Sequence, residues 1–142
     1  CAPGAVSVGA VYDANVSSRT WGAPMAACTD AVTAADKVTC FSNSASFLTM
    51  LAPGAIITAG GSSYAGTSQA APHVAGAIAV LRAANAAPND TVAQTVARLT
   101  STGVSIKDTR NSITKPRLNL KAAASSIKSP SQATKTALAN AK

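Results

Sequence analysis

The stretch Gly66-Thr-Ser-Gln-Ala-Ala-Pro-His-Val-Ala-Gly76 concentrates the residues that could do chemistry. Ser68 sits where a loop passes into a helix, directly after a glycine and a threonine. A serine there can attack a carbonyl. Its own N–H and the positive end of the helix dipole lie where the resulting oxyanion would form. Gly66 carries no side chain to obstruct an approaching substrate backbone. The string is not the nucleophile elbow G-x-S-x-G, because Ala70 replaces the last glycine. The simpler reading of a serine at this place is an ordinary helix cap. His73 is the chain's only histidine and the obvious base. Five residues along a helix is about 500°, or about 140° around the axis. The two side chains should diverge, and His73 is expected to pack against the neighbouring sheet.

The cysteines number three, an odd count. Cys28 and Cys40 are spaced to staple a loop, a closure worth about 2–3 kcal/mol. Cys1 is left over, and an odd cysteine suggests a partner elsewhere. Three free thiols in a reducing compartment are the alternative. Zinc is disfavoured, since neither Cys28 nor Cys40 belongs to a close cysteine pair and one histidine is too few. Asp30 and Asp36 fall in the same loop and could ligate a cation, but two isolated acids do not define a site. No metal ligand is therefore assigned, with calcium left open and its ligands unknown. Asn15-Val-Ser17 and Asn89-Asp-Thr91 match the N-glycosylation triplet, a frequent chance match.

Positioning these groups needs a framework. Residues 5–12 form an apolar run that reads as a strand buried on both faces. Residues 13–46 lack clean periodicity and read as a long loop kept ordered by the cysteine pair. A second strand is expected at 47–51, stopped by Ala52-Pro53-Gly54, and a third at 55–58. Gly60-Gly61 makes a turn from which residues 62–65 return as a hairpin. A helix opens at Gly66-Thr67-Ser68, tolerates Pro72 near its first turn, and runs to about Asn85. Its Ala and Gly content implies burial on most sides. A second helix is expected at 91–102 with Val92, Val96 and Leu99 inward, then a short strand at 104–106. A third helix is expected at 118–127. Residues 128–142 read as a low-complexity tail.

Composition limits the function classes. The 142 residues are 47% hydrophobic and only 12% charged, which excludes disorder over most of the chain. Alanine occurs 33 times and glutamate not at all, so the core elements are small-sided and closely packed. No apolar run approaches the roughly 20 residues of a membrane span. The net charge of +7 is lopsided: residues 1–90 carry −1 and residues 91–142 carry +8. All five aromatics precede residue 65, so the basic half has nothing on which to stack bases. A solvated basic face is preferred to a nucleic-acid partner.

The eleven-residue string resembles the signature around the nucleophilic serine of subtilases, the subtilisin-like serine proteases. Ser7-Val-Gly-Ala10, Met50-Leu-Ala-Pro-Gly54 and Asn119-Leu-Lys-Ala-Ala-Ala124 resemble the flanking strands and the closing helix of that family. The resemblance implies an α/β fold, with a mainly parallel sheet flanked by helices. It implies the C-terminal part of a catalytic domain over residues 1–127, incomplete by itself. It implies Ser68 as nucleophile, with its N–H as one oxyanion donor. Gly66, Thr67 and Gln69 would touch the substrate, and Gly60, Gly61 and residues 64–66 would line the approach. Gln69 replaces the methionine usual in the family and should resist oxidation. The histidine of the string is not the family's catalytic one. The family's Asp, His and oxyanion Asn lie in a region preceding residue 5, so this chain alone is expected to be inactive. In subtilisin itself, losing the histidine costs about 2 × 10⁶ in kcat. Thr49 stands where the family often has a calcium-binding carboxylate. The expected partners are a protein or peptide substrate and an N-terminal part of the domain, with Cys1 as a possible disulfide link to it. The expected localisation is secreted. The alternative is an incompetent fragment, or an interaction module exposing sheet edges at residues 5–12 and 47–51.

Overall fold

The computed structural model describes residues 4–23, 27–83 and 90–127. Cys1 and the expected tail at 128–142 lie outside the described residues, as does the end of the first helix near Asn85.

The frame is a four-stranded sheet. Strand β1 (Val8–Tyr12) pairs in parallel with β4 (Met50–Ala55), which pairs in parallel with β8 (Thr114–Arg117). Strand β7 (Val104–Lys107) closes the sheet antiparallel to β8, giving the order β1-β4-β8-β7. Helices α1 (Thr67–Ala83), α2 (Val92–Ser101) and α3 (Leu120–Ser125) complete the mixed α/β architecture. This is the mainly parallel, helix-flanked sheet that the sequence implied.

Alternation along the strands separates two cores. Ala10, Met50 and Ala52 face α1, α2 and α3, meeting Ala70, Val74, Ala77, Leu81, Leu99 and Ala123. Val11 and Leu51 face the other way and meet Val38 and Leu48. All three helices thus share one core, and the opposite face is covered by the excursion between β1 and β4. Alanines let the helices sit close to the sheet. At Gly54 an added Cβ would lie 2.7 Å from Ala10 Cβ, 2.8 Å from the Gly66 carbonyl oxygen and 3.2 Å from Ala70 Cβ of α1, so a side chain has no room there.

Several expectations need correction. The excursion is not simply loop: β2 (Arg19–Trp21) and β3 (Cys28–Asp30) form an antiparallel ribbon within it. Three-residue strands are too short to show a period of two. The second strand begins at Met50 and continues through Pro53, while Phe47 is exposed. Proline is tolerated there because β4 pairs with β8 only at Leu51, so the side beyond is free. The third strand is β5 (Ile57–Ala59), which pairs antiparallel with β6 (Ser62–Tyr64) across the Gly60-Gly61 turn. Both turn glycines have positive φ, 59° and 78°. Strand β8 was not foreseen, since Thr114-Lys-Pro-Arg117 is polar and contains a proline.

In α2, Val92 is exposed and borders an open groove, while Thr95 takes the inward place. The α2 start falls one residue later than expected: Thr91 is the cap and not the first helical residue, and it forms a reciprocal capping box with Gln94. Helix α1 buries Ala70, Val74, Ala77 and Leu81 but exposes Ala71, Ala75, Gly76, Ala79 and Val80. It is therefore buried along one stripe, not on most sides. Nor is the edge of β1 open. Residues 36–39 return along it, with Tyr12 N–H donating to the Lys37 carbonyl at 3.0 Å and Thr39 N–H to the Ala10 carbonyl at 3.0 Å.

Candidate active site

The chain reaches Ser68 through a tether between strand and helix. Gly66 N–H donates to the Gly54 carbonyl at 2.8 Å, fixing the loop to the end of β4. The Gly66 carbonyl then accepts from the N–H groups of Gln69 and Ala70 at 3.1 and 3.3 Å, starting α1. Gly66 has φ of 152°, and a Cβ there would meet Gln69 Oε1 at 2.8 Å, so only glycine fits without strain.

Ser68 is exposed on the first turn of α1. Among the described residues, its backbone N–H donates to no partner and its hydroxyl makes no hydrogen bond. The serine side chain is thus not consumed as a helix cap. Helix α1 has 17 residues and no acid in its first turn, so the positive end of its dipole is uncompensated beside this free N–H.

Two clefts meet at this serine. One, of about 510 Å³, runs under the β5–β6 hairpin and is bordered by Ile57, Thr58, Tyr64, Pro72 and His73. The other, of about 500 Å³, is bordered by Phe41, Tyr64, Ala65, Gly66 and Thr67. Ser68, Gln69 and Tyr64 border both. The residues expected near the serine, Gly66, Thr67 and Gln69, do gather there, as does the segment 64–66. Gly60 and Gly61 shape the hairpin tip and border neither cleft.

His73 faces the hairpin side of the first cleft and not the main sheet. Its Nδ1 lies 2.8 Å from the Gln69 carbonyl oxygen. A carbonyl only accepts, so Nδ1 carries the proton and the lone pair of the neutral ring is on Nε2. The ring is tied to its own helix one turn back and makes no hydrogen bond to Ser68.

Phe41 is the residue that sequence reasoning missed. It packs partly on the main core and walls the second cleft, and Trp21 meets it edge-on with centroids 5.0 Å apart. Only the pairing of a distant ribbon with the excursion's return brings these rings together. The tie behind them is the Cys28–Cys40 disulfide, with an S–S length of 2.02 Å and Cα atoms 6.0 Å apart. That is the staple the spacing suggested.

A buried polar cluster underlies the wall. Asp30 accepts from the Tyr12 hydroxyl at 2.9 Å and the Cys40 N–H at 2.8 Å, and Lys37 Nζ lies 2.9 Å away. Burial works to raise the Asp30 pKa, but Lys37 and these donors outweigh it and hold the carboxyl below its ordinary value. Burial pushes the Tyr12 phenol up to about 12. Asp36 pairs with Arg117 at 2.7 Å. Both acids that might have ligated a cation are therefore committed to basic side chains, which does not suit a cation site. Thr49 bonds Ser7 instead, their hydroxyls 3.2 Å apart.

An α/β fold that presents an unspent serine and a free N–H at a helix start, between two clefts, has the layout of a serine hydrolase. The chain belongs to the subtilase family, whose sequence profile matches residues 1–135. No curated protein matches it closely. At the family level this is a serine peptidase, acting on peptide bonds.

Proposed function

We propose that this chain supplies the nucleophile of a secreted subtilisin-like endopeptidase, and that Ser68 carries the acyl-enzyme. The observation that carries this reading is Ser68 itself: exposed, without a hydrogen-bond partner among the described residues, and paired with an uncommitted N–H at the head of α1.

In the proposed reaction Ser68 Oγ attacks the substrate carbonyl carbon and gives its proton to a base. The carbonyl oxygen becomes an oxyanion that accepts from Ser68 N–H. The C–N bond then breaks, the amine leaves with that proton, and water hydrolyses the acyl-enzyme. The reading calls on no cofactor, since proton, nucleophile and oxyanion donors are all protein groups. Gly66, Thr67 and Gln69 contact the substrate backbone, with Phe41 and Tyr64 as cleft walls.

The base comes from an N-terminal part of the domain outside these residues. His73 is unsuited because its ring is tied to its own helix one turn back and makes no hydrogen bond to Ser68. Support comes from α1, whose exposed small residues Ala71, Ala75 and Ala79 form an uncharged stripe running away from Ser68. A segment seated there reaches the serine. Secretion is supported by the Cys28–Cys40 disulfide, since such bonds persist in oxidising compartments. Among the described residues no helix is long and apolar enough to cross a membrane.

Fluorophosphonate labelling of the whole protein and of the isolated 142-residue chain tests this. The probe reacts with a serine activated by a placed base. One probe per molecule on Ser68 of the whole protein, and none on the isolated chain, is expected. An unlabelled whole protein would leave the non-enzymatic interaction module as the correct reading.

A further inference from the structure

Immediately beyond β1 the chain makes a tight turn at Asn15-Val16-Ser17. Asn15 Oδ1 accepts from the Ser17 N–H at 3.0 Å, and the Thr33 hydroxyl lies 3.2 Å from it. Thr33 is buried, and its oxygen also accepts from the Val16 N–H at 2.8 Å and lies 2.9 Å from the Ser17 carbonyl oxygen. The turn is therefore held through the oxygen of the asparagine amide and through backbone groups.

Two polar groups of the turn are left idle. Asn15 is exposed, and its Nδ2 has no hydrogen-bond partner among the described residues. Ser17 is exposed too, and its hydroxyl likewise has none. An asparagine amide nitrogen with a hydroxyl two residues on is the acceptor of N-glycosylation, which needs a surface loop in an exported chain. The second triplet, Asn89-Asp90-Thr91, differs. The Thr91 hydroxyl accepts from the Gln94 N–H as a helix cap, so that threonine has a folding role of its own. Among the described residues, nothing uses the hydroxyl of Ser17.

We propose that Asn15 carries an N-linked glycan, added from a lipid-pyrophosphate-linked oligosaccharide. Nδ2 bonds to C1 of the first sugar and gives up one of its two protons. The C1–O bond to the pyrophosphate breaks, and the lipid pyrophosphate leaves. No oxidation state changes. The product is a secondary amide that keeps Oδ1 as an acceptor, so both contacts of that oxygen survive modification. The sugar projects from the excursion without closing the site, because residues 15–17 border neither cleft at Ser68.

The proposal rests on the exported, oxidising environment that the disulfide supports, and not on the peptidase reading. Its test is peptide mapping of the protein isolated from its natural source, with free thiols blocked beforehand. Trypsin is followed by peptide N-glycosidase in ¹⁸O water. The expected result is a peptide ending at Arg19 that appears only after the glycosidase, with ¹⁸O-labelled aspartate in place of the asparagine at position 15. Expressed in the same host, Ser17→Ala should lose the sugar and Ser17→Thr should keep it. An unmodified Asn15 with Cys28–Cys40 oxidised overturns the glycan alone. An unmodified Asn15 with both thiols free overturns the exported environment as well. A Ser17→Ala protein that still carries the sugar on this peptide also overturns the assignment.

Discussion

The start of α1 and the excursion between β1 and β4 lie on either side of the second cleft, and they are built by opposite means. Around Ser68 the chain uses small residues, an exposed backbone and few side-chain bonds. Its order comes from the Gly66–Gly54 hydrogen bond and from helix packing on the sheet. The excursion has little apolar mass. It is fixed by a disulfide, a buried carboxylate under a phenol and a lysine, and the Arg110 guanidinium. Arg110 donates to the Cys40 and Ser42 carbonyls at 2.8 and 3.1 Å while pairing with Asp108 at 2.6 Å. One region leaves its polar groups unsatisfied, as the proposed encounter with a substrate requires. The other satisfies its own so that Trp21 and Phe41 stay in place. Function and stability should therefore separate between the two under mutation.

The largest expected effect is on chemistry alone. Ser68→Ala should abolish probe labelling and peptide hydrolysis by the whole protein, with thermal stability within about 0.5 kcal/mol of the original, as for surface substitutions. A large fall in melting temperature would mean that Ser68 has a structural role and would weaken the contrast.

The converse change comes next. Asp30→Ala leaves the Tyr12 hydroxyl and the Cys40 N–H without their acceptor and Lys37 without its counter-ion, and should cost about 3 kcal/mol in urea unfolding. The fraction that remains folded should still label at Ser68. Reducing Cys28–Cys40, a bond closing 12 residues of sequence separation, should cost about 2–3 kcal/mol by the same measurement. Loss of labelling in folded, reduced protein would show instead that Phe41 and the serine are more tightly coupled than their separate supports suggest.

The smallest effect is acid-dependent. Arg110 hydrogen bonds hold the Asp108 carboxyl at about 2, below its ordinary 3.8, against the opposing effect of burial. A depressed pKa stabilises the fold above the unfolded value. This contribution is whole above about pH 4 and is lost as pH falls through about 2. Allowing for the partial exposure of Arg110, it amounts to about 1–2 kcal/mol. Unfolding free energies between pH 5 and 2 should fall by this amount, and Asp108→Asn should flatten that part of the profile.

Much of the frame was legible because its signals are local. The β1 run, the Gly60-Gly61 turn, the start of α2 to within one residue and the glycine–serine entry to α1 each depend on a few adjacent residues and their backbone preferences. The Cys28–Cys40 link was readable from spacing, with its oxidised state left open. What was missed depends on partners far along the chain. Strand β8 has no apolar pattern and exists because β4 and β7 lie beside it. Phe47 looked like a strand residue, yet register with β1 starts the strand at Met50. Val92 fits a helical stripe, but the stripe that meets the core is set by how α2 lies on α3 and β8, which brings in Thr95.

The amino-acid sequence by itself determined the serine, its glycine neighbour and the helix that begins there, because conformational preference and capping act over one or two turns. Only the tertiary structure decided that Phe41 walls a cleft, that His73 borders the cleft under the β5–β6 hairpin, and that Asp30 and Asp36 serve as ion-pair partners. Those outcomes depend on which side chains come together in space. That is fixed by packing and desolvation across the whole sheet, which no local stretch of sequence encodes.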